Sequence, residues 1–262
     1  MYVHRAPRSP ILAPFVEAIW YVDQPPSSGR ERVLPNATAA LIVNLARDQI
    51  HSFDGGRERR FGGAIVHGAT SRPTLIDASE THHVIGATFR PGGSVPFLPV
   101  PGGELRDGLI GLDDLWRREG AVLRERLLEA DGAAARVGLF EDLLAARALG
   151  TATDPAVTYA VAALSRGLPV AAVTDRLGLL PGRFARRFGD RVGVTPKLYA
   201  RLLRFQRTLR ALNRPHSQLA RVAADQGFYD QAHMAHEFRT FSGASPSAYR
   251  PVSPDAHNHV RD

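Results

Sequence analysis

Two stretches in the last third of the chain repeat each other about fifty residues apart, and no other feature of the 262 residues restricts the fold as much. One runs from Val170 through Gly178, Phe188, Gly193 and Pro196 to Tyr199. The other runs from Leu219 through Gly227, Phe238, Gly243 and Pro246 to Tyr249. Gly178 and Gly227 are 49 positions apart, while Pro196–Pro246 and Tyr199–Tyr249 are each 50 apart. A turn glycine, a core phenylalanine and a Thr-Pro or Ser-Pro helix start kept in register point to two copies of one helix-turn-helix unit.

In the first copy the pattern predicts a short helix over Val170–Leu177, a turn at Gly178, and a second helix from Pro181 to about Val192. Phe184 and Phe188 stand at i and i+4 and share its inward face. The opposite face carries Gly182, Arg186 and Gly189, flanked by Arg183, Ala185 and Asp190. Two small residues around an arginine let that face enter a groove closely. Arg186 can then meet the O6/N7 edge of guanine with two hydrogen bonds. Leu180 falls at the N-cap, where Ser or Asp would be worth about 1 kcal/mol.

The second copy is better capped, with Asp230 opening a helix over Gln231–Phe241. Met234, Phe238 and Phe241 form its packed stripe. Its outward face carries Ala232, His236 and Arg239, with Gln231 projecting from the first turn. Gln suits the N6/N7 edge of adenine, and base edges are met in the first turn of a reading helix. Phe184, Phe188, Phe238 and Tyr249 read as core residues rather than stacking platforms. His233 and His236 lack the acidic or thiol partner that a metal site needs.

Between the copies, Thr195 caps a helix that Pro196 opens and that runs to about Asn213. Leu198, Leu202, Phe205, Leu209 and Leu212 give it an apolar stripe, and Arg201, Arg204, Arg207 and Arg210 wind around the rest. About nineteen residues at ~1.5 Å span roughly 28 Å, against ~34 Å for one turn of DNA. That length suits two reading helices in successive major grooves. The charge agrees. Residues 1–153 carry 17 Arg against 18 Asp and Glu, whereas 154–250 carry 15 Lys and Arg against 6 acids, so the net +7 resides on the repeat. A basic surface confined to a helix-turn-helix region calls for a polyanion. Arg187, Arg191 and Arg207 read either as phosphate contacts or as solvated charges, and Arg239 as a phosphate contact.

At these residues, 154–250 resembles the double helix-turn-helix domain of the AraC/XylS family of bacterial transcription regulators. Its most specific piece runs Asp225-Gln-Gly-Phe-Tyr-Asp-Gln-Ala-His-Met-Ala-His-Glu-Phe-Arg-Thr-Phe-Ser-Gly-Ala-Ser-Pro-Ser-Ala-Tyr249. The resemblance places base-reading positions on Gly182, Ala185 and Arg186, then on Gln231, Ala232, Ala235 and His236. Arg183, which flanks the first set, is expected to read bases with it. The chain departs from the family in having Gly and Ala where longer readers are common, and His236 where Arg is frequent. The resemblance implies double-stranded DNA as partner, with RNA polymerase, a small-molecule effector and a second copy of the chain as further candidates.

Up to about Arg90 the pattern is strand-like. Ala39–Leu45, Gly63–His67, Arg72–Asp77 and His82–Phe89 are short apolar runs bounded by turns such as Asp54-Gly55-Gly56 and Pro91-Gly92-Gly93. Ile11–Val22 reads as a short helix entering a strand. From Leu109 the pattern turns helical, with helices expected over Leu115–Leu128 and Ala133–Leu149. The segments Arg32–Asn36, Arg90–Phe97 and Leu112–Trp116 resemble an uncharacterised domain often found ahead of such DNA-binding domains, which implies a sensory or assembly role. Arg90-Pro-Gly-Gly is either an anion-holding nest or a tight turn with Arg90 paired to an acid. Trp20, Tyr21, Phe89, Phe97 and Trp116 line a pocket or pack a core.

His67, Glu80, His82 and His83 raise the alternative of a metal-dependent enzyme in an N-terminal barrel. Adjacent His82 and His83 on a strand point to opposite faces, however, and cannot share one ion. With no cysteine, thiolate ligands, disulfides and the acceptor of an alkylation-repair fusion are excluded. No apolar run reaches the roughly 18 residues of a membrane span, and Met1–Pro10 lacks a signal-peptide core, so a cytoplasmic protein is expected. The expected fold is α+β. Residues 1–150 would form a β-rich sensory-type region (small barrel or sheet) ending in two helices, 154–250 an all-α reading domain, and 251–262 a disordered tail. No cofactor is implied.

Overall fold

The structure, a computed structural model, describes residues 1–54, 57–148, 153–253 and 256–262. Gly55 and Gly56 of the expected turn, Leu149 at the expected helix end, Thr151 and Ala152 at the expected boundary, and Pro254 in the tail lie outside the described residues. The first strands are β1 (Tyr2–Arg5), β2 (Val16–Asp23), β3 (Arg30–Val33), β4 (Ala40–Asn44), β5 (Gln49–Asp54) and β6 (Arg57–Gly62). They are followed by β7 (Ala64–His67), β8 (Thr74–Asp77), β9 (His83–Phe89), β10 (Leu109–Gly111) and, at the far end of the chain, β11 (His259–Arg261).

These strands form two open antiparallel sheets rather than a barrel. One is six-stranded in the order β1-β2-β9-β4-β7-β10, and the other five-stranded in the order β11-β3-β8-β5-β6. Strands β4 and β9 occupy the middle of the first sheet. Their near-continuous apolar sequences suit strands covered on both faces. Helices α1 (Leu112–Trp116), α2 (Arg118–Glu129) and α3 (Gly132–Arg147) follow. Leu123, Leu127, Val137, Phe140 and Leu144 from α2 and α3 pack with Ile19, Tyr21, Leu41, Ile85 and Phe89 in one core.

The expected helix Leu115–Leu128 is two helices, because Arg117 takes a left-handed φ of 53° between α1 and α2. The expected helix at Ile11 is only a turn, and the strand that follows begins at Val16. The helical pattern begins after β10 rather than at Leu109. Tyr21, Phe89, Phe97 and Trp116 are buried core residues, with Trp116 Nε1 donating to the Phe97 carbonyl at 2.8 Å.

The helical half consists of α4 (Pro155–Ser165), α5 (Val170–Leu177), α6 (Pro181–Val192), α7 (Pro196–Leu212), α8 (Leu219–Asp225) and α9 (Gln231–Ser242). Local chemistry sets these ends. Asp154 accepts from the Ala156 and Val157 amides, Thr195 from Leu198, and Asp230 from His233. Left-handed Gly178, Gly193 and Gly243 close α5, α6 and α9. Phe184, Phe188, Tyr199, Phe205, Phe238 and Phe241 fill their common core.

That core does not stop at the helical half. Leu34, Ala37 and Ala69 from the β-rich half are buried in it, and Val260 packs on its edge. Gln206 in α7 donates to the Pro35 carbonyl, and to Asn258 Oδ1 at 2.7 Å. The reading of 251–262 as a disordered tail is therefore wrong for its described part. Pro251 bridges to Val260, β11 pairs with β3, and Arg32 binds Asp262 at 2.7 Å. Its prolines and histidines hide a strand whose register comes from the partner edge of β3.

Candidate nucleic-acid interface

Helix α6 has one buried and one open side. Phe184, Phe188 and Val192 face the core, while Gly182, Arg183, Arg186 and Arg187 are exposed and Ala185 is half-buried. A Cβ added at Gly182 or Gly189 would meet only open space, so no neighbour covers the surface around Arg186. In α9, Met234, Phe238 and Phe241 turn inward. Gln231, Ala232, His236 and Arg239 are exposed, and Ala235 is half-buried. The structure thus gives the predicted base-reading residues of each helix a common outer side. Leu180 caps α6 without any side-chain hydrogen bond, as its chemistry dictates.

The four arginines named as phosphate candidates divide. Arg239 is exposed on α9, and Arg191 is half-buried near the C-terminal end of α6. Arg187 is engaged within the chain, its Nε and Nη2 donating to Asp154 at 2.8 and 2.9 Å. Burial works against the Asp154 charge, but Arg187 and the Val157 and Ala156 amides outweigh it and hold its carboxyl below the usual range. Arg207 donates to the Ser165 carbonyl at 3.2 Å, at the C-terminal end of α4.

Two other arginines of α7 tie this helix to the second copy. Arg201 grips Glu237 with bonds of 3.0 and 2.7 Å, and Arg204 lies over the Phe228 ring at 4.7 Å. Burial raises the Glu237 carboxyl, and the Arg201 and Arg204 charges more than reverse this. Helix α7 has 17 residues, roughly 25 Å at ~1.5 Å per residue.

A cavity of about 810 Å³ lies between the two halves. Val157, Val161 and Ser165 of α4, Tyr199 and Arg210 of α7, and Arg191 form part of one side, with Phe15, Asn36 and Thr88 opposite. No single residue pattern signals it, because it exists only where the halves meet. Arg90-Pro-Gly-Gly forms a tight turn on its rim. Arg90 Nε donates to the Ala13 carbonyl at 3.0 Å, not to an acid, and a Cβ on Gly92 would touch Val157.

The histidines of the metal-enzyme alternative are dispersed. His67 faces the Gly68 carbonyl, His82 the Ser79 carbonyl and His83 the Tyr21 hydroxyl, while Glu80 serves His51. Among the described residues, no three metal-ligating side chains converge and no helix is long and apolar enough to cross a membrane.

Residues 4–110 match the family described as a domain of unknown function (DUF6597), and residues 173–251 match a helix-turn-helix domain family. No curated protein matches the chain. Similar solved structures include an apo variant of ToxT from Vibrio cholerae strain SCE256, at 11% identity and TM-score 0.48, covering 88% of this chain and 94% of that one. ToxT from Vibrio cholerae O395 is 12% identical at TM-score 0.45, covering 88% and 95%. Wild-type ToxT bound to an unsaturated fatty acid is 10% identical at TM-score 0.44, covering 88% and 92%. Carrying an AraC-type helix-turn-helix domain behind a DUF6597 domain, the chain is a DNA-binding transcription regulator.

Proposed function

We propose that α6 and α9 enter successive major grooves of double-stranded DNA, with Arg186 and the Gln231–His236 turn supplying sequence preference. The observation that carries this reading is the two-sidedness of both helices. Each buries its aromatic stripe and leaves small and hydrogen-bonding side chains uncovered. Arg183 and Ala185 flank the first reader, Ala232 and Ala235 the second. Arg239 is the phosphate partner best placed to position the protein, since Arg187 and Arg207 are held within the chain and Arg191 lies on the cavity wall.

The β-rich half controls this surface. The cavity between the halves falls within the size range of small-molecule sites, roughly 300–1,000 Å³. It is where an effector would bind. RNA polymerase and a second copy of the chain are the further partners of a regulator of this kind.

The test is selection of bound duplexes from random DNA. It needs the full chain, because Leu34, Ala37 and Ala69 complete the core of the helical half. The expected product is a two-part motif with parts about one helical turn, ~10 base pairs, apart. Failure to enrich any sequence, or to bind DNA at low salt, would refute the reading.

A further inference from the structure

Leu180 and Tyr229 are the two most exposed large apolar side chains among the described residues, at 76% and 93%. They occupy matching places after the turn glycine, although Tyr229 lies one position further from its helix than Leu180 does. Each stands two positions after its turn glycine, Gly178 or Gly227, and each follows an apolar residue that packs inward, Leu179 or Phe228. Each also adjoins the first turn of a reading helix: Leu180 is the N-cap of α6, and Tyr229 precedes Asp230, the N-cap of α9.

Neither residue is what a connecting turn requires, since exposed turn positions favour Gly, Asn, Asp and Ser. Leu180 is doubly unfavourable in the free protein. It exposes an aliphatic side chain and leaves α6 without the side-chain cap that Asp230 gives α9. Tyr229 has a fixed backbone, its amide donating to His233 Nδ1 at 3.3 Å, but its ring packs on nothing. An exposed apolar side chain at the entrance of each reading helix has a common explanation in what those entrances touch.

Resting on the DNA-binding reading above, we propose that Leu180 and Tyr229 are specificity-determining contacts. They present apolar surfaces to thymine C5-methyl groups where each reading helix enters the major groove. The thymine methyl is the apolar mark of that groove, and Gly182 beside Leu180 and Ala232 near Tyr229 leave room for close approach. A phosphate-facing position would call for a cation or a strong hydrogen-bond donor, which Leu180 cannot supply.

The test uses the full chain and a duplex selected by it from random DNA, with binding followed by fluorescence anisotropy. Each thymine of the duplex is replaced in turn by uracil, which lacks the methyl group. Leu180→Ser and Tyr229→Ser should each weaken binding about tenfold, equivalent to about 1.4 kcal/mol. Tyr229→Phe should bind as wild type does. One or two uracil replacements should weaken the wild type but have no further effect on the matching serine variant. The salt dependence should not change, because no phosphate contact is lost.

Leu180→Ser should also raise the melting temperature by supplying the missing cap, whereas a folding role for Leu180 would lower it. Serine variants that bind like wild type overturn the proposal, as do variants that weaken binding while the uracil effect persists. A loss in Tyr229→Phe equal to that in Tyr229→Ser would make the hydroxyl a backbone contact and overturn the assignment of Tyr229. A wild-type chain that selects no duplex would overturn the DNA reading itself, a result distinct from the others.

Discussion

Replacing Gly102 with alanine tests whether the two halves pack as one body. Gly102 is buried in a short turn of the β-rich half, directly against the end of α6. A Cβ placed there would lie 2.9 Å from the Gly193 nitrogen, 3.0 Å from the Arg191 oxygen and 3.2 Å from the Arg191 carbonyl carbon. All three are backbone atoms, fixed by the α6 C-cap, where the Gly193 amide donates to Gly189 at 2.8 Å. Since comfortable carbon contacts lie at about 3.5–4.0 Å, the halves must part by roughly half an ångström or more. Overpacking of this kind costs about 1–3 kcal/mol, and each kcal/mol shifts the midpoint of a chain this size by about 2–4 °C. The expected drop in a calorimetric melt is therefore roughly 2–12 °C. Gly103→Ala is the control, because its Cβ would meet only the Gly189 oxygen at 3.9 Å. Gly178→Ala, at φ +62° with open space around it, isolates the left-handed backbone cost alone, about 1–2 kcal/mol. If Gly102→Ala melts with Gly103→Ala, the packing of turn against helix end is refuted.

Arg186→Ala should lose discrimination at one or two base pairs by about 1–3 kcal/mol, read from competition binding; equal weakening on all sequences would make Arg186 a phosphate contact. Glu141 accepts from Arg5 and from the Arg8 and Ser9 amides. Burial raises its carboxyl, but these partners outweigh it and hold it below the usual value. Glu141→Gln should then cost about 1.5–3 kcal/mol near neutral pH. That difference should fade as acidification passes through the ordinary carboxylate range to the depressed value, where the native carboxylate takes up its proton; a difference independent of pH in denaturant melts would refute it. Deleting residues 256–262 removes one of the two partners of β3 and should speed amide exchange at Arg30–Val33; unchanged protection there would mean the β11–β3 pairing is not maintained in solution. Leu34→Ala should cost about 2–5 kcal/mol and loosen α7 as well as β3, because Leu34 is fully buried in the core of the helical half. Exchange that rises only in the sheets would sink the idea of a shared core.

The helical half is legible almost residue by residue because its stops are chemical. Pro155, Pro181 and Pro196 open helices where a missing amide hydrogen does no harm, and Gly178, Gly193 and Gly243 close them in the left-handed conformation. The outer sides of α6 and α9 follow from helical period alone once Phe184, Phe188, Met234 and Phe238 turn inward. The β-rich half divides differently. Strands β4, β7 and β9 announce themselves through apolar runs, whereas β3 reads Arg-Glu-Arg-Val and β6 reads Arg-Glu-Arg-Arg-Phe-Gly. Those two are strands because β8, β11 and β5 pair with them, and pairing between distant segments leaves no local period to read. The cavity and the Gly102–Gly193 contact are invisible for the same reason, since neither glycine carries a side chain whose pattern could betray the neighbour.

The two copies of the repeat are held unequally, and this bears on how control can reach the DNA. The first copy is tied to the β-rich half at the α6 C-cap through Gly102, and Arg191 at the same end forms part of the cavity wall. The second copy has a small core of its own, Val222, Ala223, Phe228 and Met234. It meets the β-rich half only beyond that, through Phe238, Phe241 and Tyr249 in the shared core and the approach of Arg32 to Gly243. A ligand can shift an arrangement only by the difference in its affinity for the alternatives. For an effector in the cavity, that difference would arise against α4, α7 from Tyr199 to Arg210 and the end of α6. Its first effect would therefore fall on the helix that carries Arg186, whose end at Arg191 lies on the cavity wall. It would reach Gln231 and His236 through α7, whose Arg201 and Arg204 clasp Glu237, and through Phe238 and Phe241 in the shared core. Effector control would on these grounds change readout at the first half-site before the second, and footprints of the two half-sites taken separately would show it.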